Sequence, residues 1–422
     1  MSFKGKKILF VEHGGIYKEF TVKKAKELGL NIFVVTTKTE DVIFKYINKE
    51  NVIITDTFDS GSLIKSVEDF MTQKGIRFDM VVTFKESSVI TTADLAEALG
   101  LRNVGSIAAR KSSQNKLQMR NALSDDEEIL QPNYKEFNIF SENYPDDFKD
   151  FNFPCVIKPL FGSSSHGVIK IDNFDEVKEK IELSKKTMVP EDREVFKKFD
   201  GTMLMEEYIS GDVISIDGLV ANKKINILGS VEFEMSDEPY FYQISSFIPS
   251  NKDGLIIEKC INDTKKIINS LGFNTCGFHC EWRIKNGDNY FIETSARTVG
   301  GGIINGHEKV TGVNLIKELF SALLGEELDF KVENNCTVKH NSIFPDIKRK
   351  SKLLEIENLD YIKNNENVWD FMQFSKSGDV LYTSPQTPSQ LCYFAVEGKT
   401  LEEVNSLTEN LSKKIKYKVK EI

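Results

Sequence analysis

Residues 278–303 read FHCEWRIKNGDNYFIETSARTVGGGI, two apolar runs joined by a short polar turn. The dipeptide Asn286-Gly287 is typical of a two-residue hairpin turn, so the pattern predicts two antiparallel strands. Glu281 and Glu293 then lie near each other on neighbouring strands. Two carboxylates that converge inside a sheet repel each other and resist loss of water, so they need a cation. Mg²⁺ is expected because proteins hold it with one or two carboxylates together with substrate phosphates.

The same spacing also fits a surface hairpin whose two glutamates face water, since strands often carry charge on a solvated face. The residues that follow the hairpin are compatible with an anion site. Arg297 comes four residues after Glu293, and residues 300–302 are three glycines whose backbone amides can approach an anion. Both interpretations stay open on this stretch alone, and the upstream sequence decides between them.

Size and composition indicate a multidomain globular protein. At roughly 150 residues per domain, 422 residues predict about two to four domains. The hydrophobic content of 40% and the charged content of 28% are ordinary for a soluble protein. A net charge of −9 argues against a general binder of nucleic acid or of anionic membranes. No apolar run approaches the ~20 residues of a membrane helix, and the short apolar stretch at residues 8–11 predicts a strand rather than a signal peptide.

The six cysteines are scattered, and only Cys276 and Cys280 lie close together in the sequence. No second pair and no histidine cluster stands at zinc spacing. Reduced thiols in the cytoplasm fit this pattern best.

Strands and helices alternate through residues 7–99, which predicts a parallel sheet of Rossmann type. The glycines after the first strand do not form G-x-G-x-x-G, so nicotinamide binding has little support. Ligands of such sheets lie beyond the carboxyl ends of the strands. The candidate substrate contacts there are Gly14, Gly15, Lys85, Glu86 and Ser87, although ordinary turn chemistry would explain each of them.

A lysine precedes a loop of small residues in FPCVIKPLFGSSSHGVIKI, residues 153–171. The pattern predicts a strand that carries Lys158, a flexible Gly/Ser loop and a second strand. Small residues let backbone amides wrap around phosphate oxygens, and the lysine adds a positive charge. No Gly-Lys-Ser/Thr follows, so this is not a Walker P-loop, and a plain hairpin turn is the alternative.

The remaining elements are predicted from hydrophobic patterning. Residues 203–209 form a strand that ends in two acids, and residues 213–220 and 225–233 form a strand pair. Residues 234–250 are aromatic and polar and are predicted as a long loop, a kind of segment that often binds ligands. After residue 332 the pattern changes to strands and a final helix, which indicates a separate cap.

Taken in order, five motifs resemble those of the ATP-grasp superfamily. They are Asn115-Lys116-x-x-x-Arg120, VIKPLFGSSSHGV with Lys158, MEEYISGD, Glu281, and Glu293-x-x-x-Arg297. They fall within residues 80–325. The tail beyond residue 330, the loop ending Phe247-Ile-Pro-Ser250 and the stretch ETSARTVGGG are similar to the carboxylate–amine ligases that make dipeptides from unprotected L-amino acids.

The resemblance implies an α/β chain of ATP-grasp architecture. An N-terminal Rossmann-like parallel-sheet domain is expected at residues 1–110, and a connecting helix and strand at 111–150. A small lid subdomain is expected at 151–212 and a central α+β core at 213–330. The C-terminal subdomain would occupy residues 331–422.

The resemblance also implies roles for individual residues. Lys116 and Lys158 would hold the ATP phosphates, and Arg297 would act with Lys158 in catalysis by steadying the acyl phosphate. Glu281 and Glu293 would bind Mg²⁺. The loop that closes over the phosphates would consist of Ser163, Ser164, Ser165, His166 and Gly167. The hinge that receives adenine would consist of Glu206, Glu207, Tyr208 and Ile209.

The sequence departs from the family pattern at three positions. Ser295 stands where the family usually has the asparagine of Glu-x-Asn, so a serine oxygen would be the further metal ligand. Val213 occupies the usual place of the acid that binds ribose, which makes Asp212 the candidate substitute. Gln243 stands where related dipeptide ligases often carry an acid.

The implied activity is an ATP-dependent ligase. It phosphorylates an amino-acid carboxylate and couples the acyl phosphate to the amine of a second amino acid, releasing ADP and phosphate. ATP and two Mg²⁺ ions, or Mn²⁺, are the expected cofactors, and small-molecule amino-acid substrates are the expected partners. No nucleic acid or membrane is expected, and a homodimer is the commonest oligomer of such a protein. Two alternatives remain open: another ATP-grasp ligase or carboxylase acting on a different carboxylate or bicarbonate, and a non-catalytic nucleotide-binding protein.

Overall fold

A parallel sheet forms the N-terminal domain. The computed structural model describes residues 2–112, 115–162, 165–188, 199–238, 240–384 and 388–422. Strands β1 (Lys7–Val11), β2 (Asn31–Thr36), β3 (Val52–Ile54) and β4 (Met80–Val82) lie parallel in the order β3-β2-β1-β4. Helices α1 (Glu19–Glu27), α2 (Ser60–Lys74) and α3 (Val89–Ala98) alternate with them. The central strands are almost wholly buried, as expected when helices cover both faces, and the predicted Rossmann-type sheet is confirmed.

Two short helices lead into a second, antiparallel sheet. Helix α4 (Ser106–Ser112) is followed by helix α5 (Lys116–Ala122), which Asn115 caps by accepting a hydrogen bond from Gln118 N. The lid sheet contains β5 (Tyr134–Asn138), β6 (Cys155–Pro159), β7 (Ile169–Ile171) and β8 (Thr202–Glu207) in the order β5-β8-β6-β7. Helices α6 (Tyr144–Asp147) and α7 (Val177–Thr187) belong to the same unit.

A large sheet forms the centre of the molecule. Its first strands are β9 (Asp212–Ala221), β10 (Lys224–Met235), β11 (Gln243–Ile248), β12 (Cys276–Lys285), β13 (Asp288–Ser295) and β14 (Thr337–Ile343). The helices of this part are α8 (Gly254–Leu271), α9 (Ile303–Thr311) and α10 (Leu315–Leu324). The predicted hairpin is confirmed as β12 and β13, which pair antiparallel around Asn286 and Gly287.

The C-terminal segment contributes to two sheets. It contains β15 (Ser351–Glu357), α11 (Leu359–Lys363), β16 (Val368–Gln373), β17 (Val380–Leu381), β18 (Cys392–Gly398), α12 (Leu401–Ser412) and β19 (Lys416–Glu421). The central sheet has the order β13-β12-β9-β10-β11-β14-β18-β16, so β16 and β18 continue it. Only β17, β15 and β19 form a small sheet of their own. The domain boundaries given above stay predictions.

The prediction of an irregular loop over residues 234–250 is wrong in its second half. Strand β11 pairs with β10 on one side and β14 on the other. Its Ser245 and Ser246 hide the apolar alternation by which a strand is usually detected, and its pairing with β14 depends on a segment far along the chain.

Alternation along β12 separates the core from the site. Phe278, Cys280, Trp282 and Ile284 point into a hydrophobic cluster that also contains residues of helix α8. The intervening side chains therefore point to the opposite face, where the lid stands. Asp253 caps the N-terminus of helix α8 by accepting a hydrogen bond from Leu255 N, and Gly272 caps its C-terminus in the left-handed conformation. None of the described helices is long and apolar enough to cross a membrane.

Gly218 is required by close packing in β9. A Cβ atom there would overlap with the carbonyl oxygen of Asn226 on β10 and with the ring of Phe278. We expect Gly218→Ala to lower the free energy of unfolding by about 1–3 kcal/mol through overpacking, measured by urea denaturation. Gly254→Ala, where no atom lies within 4 Å of the added carbon, is the control and should leave stability unchanged or slightly higher. Equal effects of the two variants would contradict this explanation.

Candidate active site

A cleft lies between the lid sheet and the central sheet. Lys116, Lys158, Glu281 and Glu293 all line it, although they come from α5, β6, β12 and β13. The structure therefore brings together two lysines from one side and two glutamates from the other. The cleft is where an anionic ligand would find cations and a divalent metal ion would find oxygen donors.

The hairpin places the two glutamates side by side. Glu281 pairs directly with Glu293 across β12 and β13, as the hairpin prediction required. Lys116 Nζ lies 3.5 Å from Glu293 Oε2 and 3.5 Å from the carbonyl oxygen of Gly162. Removal of water would raise the pKa of Glu293, but Lys116 and Lys158 outweigh it, so the pKa is lowered. Both lysines thus favour a charged Glu293 carboxylate at neutral pH.

Lys158 has a buried partner that sequence reasoning did not identify. Its Nζ lies 2.5 Å from Oε2 of Glu206, and Arg120 Nε donates to Oε1 of the same carboxylate at 2.8 Å. Burial would raise the pKa of Glu206, but Arg120 and Lys158 lower it to about 2. Burial also lowers the pKa of Lys158, an effect that Glu206 opposes. The carboxylate of Glu206 is therefore paired with Lys158 and Arg120, and Glu206 also lines the cleft, as do the other hinge residues.

Arg120 ties the lid sheet to the hairpin of β12 and β13. It is completely buried, and besides Glu206 it donates to the carbonyl oxygens of Phe291 at 3.1 Å and Ile292 at 2.6 Å. Those carbonyls belong to β13, directly before Glu293. The signal in the sequence was the four-residue spacing from Lys116, which puts both cations on one face of α5.

The loop after β6 approaches the cleft. Ser165 and His166 line it, and His166 Nε2 lies 3.2 Å from the carbonyl oxygen of Thr187. Gly167 adopts a positive φ of 75° beside Pro159 and Met188. The two other predicted loop residues, Ser163 and Ser164, lie outside the described residues.

The segment after β8 forms the far wall. Glu207, Tyr208 and Ile209 line the cleft, as predicted for the hinge. The Tyr208 ring stacks on Phe241 at a centroid distance of 5.9 Å, and the Arg283 guanidinium lies 5.6 and 5.5 Å from the two rings. Sequence reasoning missed Phe241 and Arg283. Arg283 could have been found, because it stands two residues after Glu281 on the same face of β12.

Asp212 is not brought into the cleft. Its exposed side chain binds Lys252 Nζ at 2.8 Å, and the same ammonium group also binds Glu232. Val213 lines the cleft instead. The carboxylate of Asp212 therefore lies outside the cleft in which a ribose would bind.

Ser295 and Arg297 meet a third carboxylate, that of Glu86. Oε2 of Glu86 accepts from Ser295 Oγ at 2.6 Å and from Arg297 Nε at 2.6 Å. The hydroxyl of Ser295 is thus directed toward Glu86 rather than toward the paired glutamates. Of the candidates after the parallel strands, Glu86 reaches the site. Lys85 instead lies 3.7 Å from the buried Glu12.

A buried histidine lies behind Glu281. His279 Nδ1 lies 2.6 Å from Asp217 Oδ1, and His279 Nε2 lies 2.9 Å from Glu281 Oε1. Asp217 also accepts from His307 Nε2 at 2.8 Å. Burial would lower the pKa of His279, but Asp217 and Glu281 raise it to about 10.

The donor set fits a hard divalent cation. Among the residues that the structure describes, no group of three or more histidine, cysteine or acidic side chains could hold a metal ion by itself. Two neighbouring carboxylates with lysines opposite them match Mg²⁺, which completes its coordination with phosphate oxygens and water. This chemistry is unlike that of a closed zinc site.

The comparisons with known proteins agree with this geometry. Residues 151–306 match the family model described as the ATP-grasp domain, and residues 22–101 match the ATP-grasp N-terminal domain. This chain belongs to the ATP-grasp superfamily. The predicted mixed α/β ATP-grasp fold is thereby confirmed.

Individual relatives of this ATP-grasp protein differ in their chemistry. Alanine–anticapsin ligase of Bacillus subtilis is 24% identical over 314 residues, 69% of this chain and 65% of that protein. A formate-dependent phosphoribosylglycinamide formyltransferase of Sulfurisphaera tokodaii is 26% identical over 281 residues, 63% of this chain and 64% of that protein. The chain thus spans slightly less than two thirds of these curated relatives. The crystal structure of an L-amino acid ligase from Bacillus licheniformis superposes with a TM-score of 0.85 at 20% identity, covering 98% of this chain and 99% of that one, which shows a common fold.

Proposed function

We propose that this protein is an ATP-dependent carboxylate–amine ligase that joins two amino acids. The observation that carries the proposal is the single cleft in which Lys116 and Lys158 face Glu281 and Glu293. Phosphoryl transfer requires alignment and neutralisation of charge more than covalent help from the protein. Two cations, a metal-binding carboxylate pair and a nearby arginine supply those requirements.

The chain's own residues would divide the work between phosphate and substrate. Lys116 and Lys158 would bind phosphate oxygens of ATP, with Lys158 oriented by Glu206. Glu281 and Glu293 would hold Mg²⁺, which neutralises charge on the phosphates when it is bound. Tyr208, Phe241 and Arg283 would form a wall against the flat base of the nucleotide.

The reaction would proceed in two displacements. A carboxylate oxygen of the first amino acid attacks the terminal phosphorus, and the bond to ADP breaks. The amine of the second amino acid then attacks the acyl carbon, phosphate leaves, and the nitrogen loses a proton. Arg297, held by Glu86, would stabilise negative charge on the acyl phosphate and on the tetrahedral state that follows. Because water would destroy the acyl phosphate, the lid sheet would close over the cleft.

Amino acids are proposed as substrates on two grounds. The fold matches that of an L-amino acid ligase over nearly the whole chain, and the sequence is similar to that of an alanine–anticapsin ligase. We also propose a cytoplasmic location, since every cysteine in the described ranges is a free thiol. A homodimer is proposed as well, and size-exclusion chromatography with light scattering tests it.

The direct test is phosphate release from ATP and Mg²⁺ with a panel of paired amino acids. We expect at least one pair to stimulate release well above ATP alone and to yield a dipeptide by mass spectrometry. Parallel reactions contain formate or bicarbonate in place of the carboxylate substrate. The proposal would be contradicted if only formate or bicarbonate stimulated phosphate release. It would also be contradicted if the protein bound ATP but no amino-acid pair raised phosphate release.

A further inference from the structure

The central sheet builds a row of polar groups behind Glu281. Asp217 and His279 are direct partners in the pairing of β9 with β12, and on β10 Gly229 stands opposite Asp217. A Cβ atom on Gly229 would lie 3.4 Å from the ring of His307. The absence of a side chain there leaves the space through which His307 of α9 crosses β10 to reach Asp217.

The row is buried throughout its length. Asp217 is 1% exposed and His307 is fully buried. Ser215 Oγ donates to Asp217 as well, at 3.2 Å. A buried carboxylate that holds two imidazoles in this way restricts both rings to one orientation. His279 is therefore presented to Glu281 in a fixed position.

A carboxylate on a flexible side chain must be immobilised before it can hold a metal ion well. Oε1 of Glu281 is already engaged by His279 Nε2, and Glu281 lines the cleft beside Glu293. This leaves Oε2 of Glu281 for a ligand in the cleft. Groups that orient metal ligands in this way affect metal binding without touching the metal.

We propose that Asp217 and His279 are positioning residues that orient Glu281 for the metal ion, and that His307 anchors them to α9. The inference rests on the proposed function, which assigns Glu281 to Mg²⁺. Helix α9 begins directly after Gly302, in the glycine turn that follows Arg297. The row thus joins the metal-binding side of the site to the segment that carries the catalytic arginine.

Two substitutions at His279 separate positioning from simple packing. The amide nitrogen of His279→Asn would lie near the place of Nδ1 and keep the bond to Asp217. The amide nitrogen of His279→Gln would lie near the place of Nε2 and keep the bond to Glu281. We expect the asparagine variant to weaken Mn²⁺ binding by about tenfold to a hundredfold. The glutamine variant should weaken it less, by about several-fold, because it keeps the bond to Glu281 and loses only the one to Asp217. Binding is measured by electron paramagnetic resonance of Mn²⁺ with a non-hydrolysable ATP analogue.

A larger loss of Mn²⁺ affinity in His279→Gln than in His279→Asn, or equal losses in the two, would overturn the proposal. A purely structural role predicts that result, because it makes the loss of the buried bond to Asp217 the more harmful change. Thermal unfolding and binding of the analogue without metal report on folding. If His279→Asn does not fold, Asp217→Asn replaces it and should weaken Mn²⁺ binding at least several-fold. Unchanged affinity in that variant overturns the proposal.

Glu281→Gln distinguishes this inference from the ligase proposal. It should bind Mn²⁺ more weakly than the His279 variants do. Wild-type affinity in Glu281→Gln would overturn both the assignment of Glu281 to the metal ion and the positioning role. If the variants show the expected order of Mn²⁺ affinities but the protein couples no amino acids, the positioning role of Asp217 and His279 is supported. Only the ligase activity is then contradicted.

Discussion

Glutamine in place of Glu293 is expected to lower the rate of ATP-dependent phosphate release by at least about a hundredfold. The change removes the negative charge of Glu293, the cross-strand neighbour of Glu281, which lies 3.5 Å from Lys116. The size and the hydrogen-bonding capacity of the side chain are retained. In the proposed site, Mg²⁺ would then have one carboxylate ligand fewer, and Lys116 would lose the carboxylate that aligns it with the phosphates. The rate is measured with the amino-acid pair that gives the highest wild-type turnover.

The matched control for Glu293 is Asp288→Asn at the exposed start of the same strand. Among the residues that the structure describes, the Asp288 side chain has only a distant ion pair with Lys259, at 3.7 Å, so its loss should leave the rate within about twofold of wild type. Far-UV circular dichroism should show both variants folded. If the Glu293→Gln protein keeps the wild-type rate, the pair of carboxylates has no part in the reaction, and the proposed mechanism is contradicted.

The largest loss of stability is expected from Glu206→Gln. The substitution leaves Arg120 and Lys158 buried without their shared carboxylate, and breaking a buried ion pair from one side typically costs about 3–5 kcal/mol. Denaturation in urea measures the free energy of unfolding. Glu207→Gln is the control, since the neighbouring side chain bonds only Asn133 among the described residues and should lose less than about 1 kcal/mol.

The pH dependence of the same variant gives a second check. The pKa of Glu206 is about 2 in the folded protein, below its ordinary value of 4.5. Because the pKa is lower in the folded protein than in the unfolded chain, the ionised carboxylate stabilises the fold by about 3 kcal/mol at pH values above 4.5. This contribution disappears as the pH falls from 4.5 toward 2. The difference in unfolding free energy between wild type and Glu206→Gln should therefore shrink over that window. A constant difference would contradict the ion-pair explanation.

Local patterns were sufficient for the part of the site that lies on one hairpin. The Asn286-Gly287 turn determined the register, and alternation along β12 put His279, Glu281 and Arg283 on one face. The loop after Lys158 also lines the cleft, as its residue types indicated, and the segment after Glu206 lines it as the resemblance to ATP-grasp proteins implied. These features depend on near neighbours in the chain, so a single sequence reveals them.

Features that depend on distant segments were missed. Strand β11 exists because β10 and β14 supply its hydrogen bonds, and its serines give no apolar alternation. Asp212 was chosen for its place in a motif, yet Lys252 binds it outside the cleft. Ser295 is 209 residues from Glu86, to which it donates, and no spacing rule predicts such a contact.

The amino-acid sequence by itself determined the turns, the strands that show clear hydrophobic patterning and the face of the strand on which each of their charged side chains stands. Only the tertiary structure decided how those charges are paired: Lys158 with Glu206 and Arg120, Glu86 with Arg297, and Asp217 with two histidines. The physical reason is that a turn or a strand face follows from the conformational preferences of neighbouring residues. The free energy that an ion pair contributes depends instead on how closely two distant segments approach each other and how much water they exclude.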